Sequence, residues 1–134
     1  MPIDHVGLQV PQDKFQDILE FYKEALKPLN YEVKMQFGPC VVGMGPSKSD
    51  VEAYNRADFW LTGVEASTPN ITSHVALRVN DRAAVDGFHA AGVKSGGKDN
   101  GAPGPRPHYH ANYYGAFIID PVGNNIEVVC HEAM

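Results

Sequence analysis

The chain has 134 residues, 43% of them hydrophobic, which suits one ordinary domain or two half-sized units sharing a core. Its net charge is −5 and its basic residues are scattered, so no stripe exists to neutralise a phosphate backbone, and nucleic acid is excluded as the expected partner. No run approaches the ~18 apolar residues of a membrane span and the start "MPIDHVGLQV" carries no basic, apolar leader, so the expectation is a cytoplasmic, soluble protein with a small-molecule ligand and no membrane partner.

In chain order, "HVGLQV" alternates, with Val6, Leu8 and Val10 on one strand face and His5, Gly7 and Gln9 on the other. The run "DKFQDILEFYKEAL" then places Phe15, Ile18, Leu19, Tyr22 and Leu26 at helical spacing, with Asp13 and Gln16 as a capping pair. "YEVKMQF", "CVVGMG" and, after a polar loop, "ADFWLTG" predict three short strands. The first unit therefore reads βαβββ, and "EASTPNIT" is a turn-rich connector.

The second half begins again with "SHVALRV". Asn80 is expected to cap a helix whose inner stripe is Ala84, Val85, Phe88 and Ala91, and Gly92 to end it. Residues 93–112 are rich in Gly and Pro and predict a long mobile loop, with at most a short strand near "RPHYH". "YYGAFIID", the turn "PVGN" and "NIEVVCH" form a closing hairpin. Cys40 and Cys130 are too few and too far apart for a disulfide framework or a cysteine zinc site, and read as core residues.

The strand and helix starts thus recur half a chain apart, in the same order. This predicts one α+β domain, 1–134, of paired βαβββ modules: module 1 at 1–64, a connector at 65–72, and module 2 at 73–134.

Period-two alternation in the last strand puts Ile126, Val128 and Cys130 on the core face, and Glu127, Val129 and His131 on the other. His5, His74 and Glu127 then line one concavity from rigid strands. Two imidazoles and a carboxylate suit a divalent ion such as Fe, Zn, Mn or Ni with positions left open. The plain alternative is that each histidine is an ordinary satisfied strand residue.

With "DHVGLQV", "SHVALRV" and above all "AFIIDPVGNNIEVV", the whole chain resembles the vicinal oxygen chelate superfamily, whose closing hairpin reads F-x-x-D-P-x-G-N-x-x-E. That superfamily includes glyoxalase I, extradiol dioxygenases, methylmalonyl-CoA epimerase, and the fosfomycin and bleomycin resistance proteins. The resemblance implies the glyoxalase/bleomycin resistance/dihydroxybiphenyl dioxygenase fold, a homodimer, and metal positions at His5, His74 and Glu127, in sites that can be completed across a dimer. The fourth family position falls on Trp60, which cannot ligate a metal. The carboxylate pair that glyoxalase I uses to move a proton is therefore reduced to Glu127 as a single base. Phe117 stands where the extradiol dioxygenases usually carry a cleft tyrosine, and no fosfomycin-type phosphonate loop is recognisable.

"PRPHYHANYYG" concentrates Arg106, His108, Tyr109, His110, Tyr113 and Tyr114 before the closing hairpin. Tyr113 shares strand parity with Phe117 and is expected to face the cleft. With Trp60 as an apolar wall, Arg106, His108, His110, Tyr113 and Phe117 form the expected substrate-binding set. The alternative is an aromatic surface loop whose rings only pack. The Gly/Pro stretch before it reads as a lid or a linker. His89 is expected on the exposed face of a helix, and His131, at the C-terminus, is not expected to be a ligand.

The resulting expectation is a metal-dependent, glyoxalase-like lyase or isomerase acting on a small oxygenated or carbonyl substrate, with one divalent ion per site. The alternatives are an Fe(II) ring-cleaving dioxygenase and a metal-free, ligand-sequestering protein of the bleomycin resistance type.

Overall fold

Period-two and helical spacing translate into ten elements in a computed structural model, which describes residues 3–47 and 56–133. They are β1 (Val6–Pro11), α1 (Phe15–Ala25), β2 (Tyr31–Gln36), β3 (Val41–Pro46), β4 (Phe59–Val64), β5 (His74–Val79), α2 (Arg82–Lys94), β6 (Lys98–Pro105), β7 (Tyr114–Ile119) and β8 (Asn125–Cys130). The polar loop expected between β3 and β4 lies largely outside the described residues.

One plan is built twice. The first sheet has strand order β1-β4-β3-β2 and the second β5-β8-β7-β6. In each, the opening strand pairs in parallel with the closing strand, and the other pairs are antiparallel. The architecture is α+β, with paired βαβββ units.

Leu8 and Val10 of β1 and Ile126, Val128 and Cys130 of β8 turn inward onto the helices. Helix α1 contributes Phe15, Ile18, Leu19 and Tyr22, and α2 contributes Val85 and Phe88, to the same core. The helices also touch each other, so the units share one apolar interior. His5, Gly7, Gln9, His74, Ala76 and Arg78 are left on the outward faces of β1 and β5, as the alternation requires. Cys40 and Cys130 carry free thiols. No described helix is long and apolar enough to cross a membrane.

Three local expectations need correction. The Asp13 and Gln16 capping pair does not form: Gln12–Lys14 make a short 3-10 turn, and α1 starts at Phe15 without a side-chain cap. The cap of α2 is Asp81, not Asn80; its extended backbone lets the carboxylate accept the Ala84 N–H at 2.8 Å. Gly92 does not end α2, which runs on to Lys94 and gives way at Gly96, φ +109. Gly92 instead lets the helix lie close on β7, since a Cβ there would stand 2.2 Å from Ile118 Cδ1.

The largest difference lies in 93–112, where the expected loop contains an eight-residue strand, β6, while "RPHYH" itself forms a turn. Register shifts against β7 at Asp99/Gly101 and Gly101/Gly104 absorb the glycines. As the edge strand of its sheet, β6 also accommodates Pro103 and Pro105, which a central strand would not.

Candidate functional site

The site is set by the turn that joins β7 to β8. Asp120 is buried, and its Oδ1 accepts the backbone N–H groups of Val122 and Asn124 at 2.9 and 2.8 Å. Its Oδ2 accepts the Asn124 side-chain amide at 2.9 Å and the Tyr22 hydroxyl from α1. The Tyr22 phenol is raised well above its ordinary value, by burial first and then by Asp120, so it stays protonated and donates. Asn124 Oδ1 in turn accepts the Ser73 N–H at 2.9 Å, which fixes the start of β5 beside β8. The D-P-x-G-N part of the closing hairpin is thus a structural clamp that sets strand register.

In that register His74 pairs with Asn125, and Ala76 with Glu127. His74 and Glu127 then reach toward each other over the small Ala76. His74 Nε2 stands 3.2 Å from Glu127 Oε1, and the Tyr113 hydroxyl donates to Glu127 Oε2. Glu127 is only 3% exposed, although it points away from the main core. A buried carboxylate is tolerated only with such partners. The Tyr113 phenol is pushed up to about 12, chiefly by burial and next by its bond to Glu127, so it is a donor throughout the neutral range.

The histidine and carboxylate fit a divalent ion. With ligand bonds of about 2.1 Å, adjacent donors on a tetrahedral or octahedral ion stand roughly 3.0–3.4 Å apart. The 3.2 Å between His74 Nε2 and Glu127 Oε1 falls in that interval and is also the length of an imidazole–carboxylate hydrogen bond. His5 stands apart, its side chain 61% exposed and its Nδ1 2.7 Å from Asp4 Oδ1. His5 and His74 both line a groove of about 430 Å³ along β1 and β5, together with Tyr31, Arg56, Asp58 and Arg78. Among the described residues, no three His, Cys, Asp or Glu side chains of one chain gather as a metal cage.

Phe117 is the cross-strand partner of Glu127, and its ring centroid lies 6.3 Å from that of His74. Arg106 sits over Phe117 at 5.6 Å and donates to the Gly104 and Ala102 carbonyls at 2.9 and 2.8 Å, which braces the β6 end. Tyr113 lies on the Glu127 face of the sheet, whereas Tyr114 turns to the opposite face and donates to Asp86 at 2.7 Å. His108 packs on Tyr109, and Tyr109 on Tyr113, at centroid separations of 4.2 and 4.8 Å. Trp60 lies on the other sheet, stacked on Phe37 with ring planes 8° apart.

Two histidines have partners that the sequence reading missed. His89 is not simply solvent-exposed: its side chain is 17% exposed and its Nε2 lies 2.8 Å from Asp99 Oδ1. That bond, with the Gly101 N–H, holds the Asp99 carboxyl below its ordinary value. His131 meets His110, Nδ1 to Nε2, at 2.8 Å. Strand parity, which puts His131 on the same face as Glu127, was the available signal.

No protein-family model matches the chain, and no curated protein matches it. Solved structures do. The chain is similar to a glyoxalase/bleomycin resistance protein from Albidiferax ferrireducens, at 22% identity and a TM-score of 0.72, over 95% of this chain and 96% of that one. It is similar to a lactoylglutathione lyase from Agrobacterium tumefaciens at 17% identity and 0.64, over 96% and 92%. It also matches a glyoxalase I variant from Zea mays at 23% identity and 0.67, over 97% of this chain but 47% of the maize chain. The fold is therefore shared with these glyoxalase and glyoxalase/bleomycin resistance proteins, in line with the paired units that the strand openings and closing hairpin implied.

Proposed function

We propose that this protein is a metal-dependent, glyoxalase-like enzyme acting on a small oxygenated or carbonyl substrate. The observation that carries the reading is the His74 and Glu127 pair, 3.2 Å apart on adjacent strands locked in register by the Asp120 clamp. Both donors are held before any ligand arrives, which favours binding and positioning alike. His5 supplies the third ligand, and because it stands apart within one chain, a second copy of the chain brings it to the pair in a homodimer.

A divalent ion held there supplies Lewis acidity toward a carbonyl or enediolate oxygen. The protein's own part is acid and base work. Glu127 is the one buried carboxylate on the cleft side of this sheet among the described residues, and the proton it takes from a substrate carbon is retained in a site screened by Tyr113 and Phe117. Trp60 puts no carboxylate at the first-sheet position that matches Glu127, so the reading is a one-base reaction rather than the two-carboxylate relay of a glyoxalase I.

The first experiment is metal analysis of the purified protein with the His5→Ala and Glu127→Ala variants, alongside its mass in solution. About one ion per chain, lost in both variants of a dimer, supports the reading. Iron in the site, with oxygen uptake on catechols, would move the assignment to the ring-cleaving dioxygenase instead.

The aromatic surfaces favour a second reading, a ligand-sequestering protein that needs no metal. Phe37 and Trp60 stack on one sheet, and Tyr113, Tyr109 and His108 pack in series on the other. That protein would bind flat apolar ligands with unchanged affinity after His5→Ala. Loss of affinity in that variant counts against it.

A further inference from the structure

β1 and β5 are outer strands of their sheets, and the groove of about 430 Å³ along them is of a size that takes a small molecule. The Asn125 N–H donates to the Ser73 carbonyl at 2.9 Å, so Ser73, Val75 and Leu77 turn their backbone groups toward β8. His74, Ala76 and Arg78 turn theirs to the open edge, where the N–H groups are unpaired donors. Ile3, Val6, Val75 and Leu77 give the same groove an apolar part.

Two charged groups on this groove are incompletely partnered. The Asp58 backbone is fixed on both sides, its carbonyl accepting the Val6 N–H and its N–H donating to the Met44 carbonyl, each at 2.9 Å. Asp58 Oδ2 accepts the Tyr31 hydroxyl at 2.9 Å; burial, and then Asp58, raise that phenol, so it stays protonated and donates. Asp58 Oδ1 is buried without a hydrogen-bond partner among the described residues, and so is Arg56 Nε. The chain at Arg56 lies close on β3, where Gly45 makes room: a Cβ there would stand 2.2 Å from the Arg56 carbonyl oxygen. Arg56 and Asp58 thus line the groove two positions apart, yet these atoms do not satisfy each other. The other charged groups on the groove have partners: Asp4 meets His5 at 2.7 Å, and Arg78 meets Glu132 at 3.6 Å.

A half-buried cation and a half-buried anion without full partners are each unfavourable, and a ligand that brings the opposite charge to both relieves both. We propose that this groove binds an α-amino acid with an apolar side chain, its carboxylate on Arg56 and its ammonium on Asp58. A turn of the guanidinium about its last torsions presents Nε and one Nη as a two-donor fork for the carboxylate, and the open β5 edge adds backbone donors in the same groove. The ammonium takes the unpartnered Asp58 Oδ1, and the side chain takes the apolar part. A plain carboxylic acid would leave Asp58 unmatched, and a plain amine would leave Arg56 unmatched. Binding of the amino acid does not depend on a metal. Because His74 belongs both to this groove and to the proposed metal pair, the bound acid is in place as a substrate, and that consequence alone rests on the proposed function.

The test is calorimetric titration of the metal-free protein at pH 7 with leucine, with 4-methylpentanoate, which lacks the amine, and with 3-methylbutylamine, which lacks the carboxylate. Leucine should bind at least about tenfold more tightly than either. The variants should then cross. Arg56→Gln should weaken leucine and 4-methylpentanoate about tenfold and leave 3-methylbutylamine unchanged, whereas Asp58→Asn should weaken leucine and 3-methylbutylamine and leave 4-methylpentanoate unchanged. Arg82→Gln should change none of the three, because Arg82, whose Nε is also buried without a partner, lies over the Tyr114 ring and not on the groove. The wild-type series decides without any variant: leucine that fails to bind, or that binds no better than 4-methylpentanoate or 3-methylbutylamine, overturns the proposal. Equal binding of 2-hydroxy-4-methylpentanoate overturns the ammonium contact. Since neither metal nor turnover is read, failure here leaves the enzyme reading standing, and absence of metal from the purified protein leaves the amino-acid site standing.

Discussion

At matching places in the two sheets, Gly7 of β1 pairs with Trp60 of β4, and Ala76 of β5 pairs with Glu127 of β8. Each small residue lies two positions after a histidine, so tryptophan and glutamate occupy the same position in the repeated plan. Around Glu127 the second sheet adds an imidazole, a phenol and a polar turn that holds them; around Trp60 the first sheet adds Phe37. The difference teaches that a duplicated scaffold can build a hydrogen-bonded polar cluster at one position and stacked aromatic rings at its equivalent. On the proposed metal reading it leaves one chain two candidate donors, His74 and Glu127, rather than three.

The clamp that supports the polar side is where the two units should differ most in stability. Asp120→Ala strands two backbone N–H groups, the Asn124 amide and the Tyr22 hydroxyl in a buried place. At ~1–3 kcal/mol for each buried group left unpaired, with partial relaxation, urea unfolding should show a loss of about 3–5 kcal/mol. In the first unit the nearest comparison is Asp58, which accepts the Tyr31 hydroxyl at 2.9 Å in a half-buried setting. Asp58→Ala should lose only about 1 kcal/mol. Equal losses would mean that the Asp120 turn is no special clamp.

Trp60→Glu attacks the comparison directly by restoring the carboxylate that the plan leaves open. If His5 belongs to the metal site, the variant should bind zinc at least about tenfold more tightly than the wild type, a gain of about 1.4 kcal/mol, in calorimetric titration. It should also lose some stability, because Trp60 fills the space over Gly43, where a Cβ would come within 2.8 Å of the indole. A less stable variant with unchanged zinc affinity would detach the first sheet from the metal site.

How much of this was legible beforehand follows the same division. The paired units could be read because alternation and the recurrence of His-Val-small-Leu are local in sequence. The Trp60 and Glu127 equivalence could be read by superposing "ADFWLTG" on "NNIEVVC", and the β1-β4 and β5-β8 registers agree with it. The β6 strand was not legible, because Gly and Pro mark an edge strand and a loop alike. The roles of Gly92 and of His110 with His131 were hidden for another reason. They depend on what packs against them from elsewhere in the chain, Ile118 in one case and the end of β8 in the other.

The smallest expected effect is alkaline, and it tests whether the phenol on Glu127 differs from its opposite number in the first unit. Tyr113 is raised to about 12 by burial and by Glu127; Tyr31 is also raised, by burial and by Asp58. A phenol whose folded value exceeds the ordinary value of about 10 contributes stability that is fully present below pH 10 and is lost as pH rises through the folded value. Unfolding curves should therefore weaken between about pH 10 and 12, and Tyr113→Phe should lower stability in the neutral region, where the bond to Glu127 is lost, and flatten that slope. Tyr31→Phe should remove a loss that begins at the same pH, about 10, and continues further upward, because burial and Asp58 raise Tyr31 more than burial and Glu127 raise Tyr113. Tyrosinate absorbance followed with unfolding separates them. If Tyr113→Phe leaves the slope between pH 10 and 12 intact, its hydroxyl is not held on Glu127 in solution, and the second sheet's polar side loses its cover.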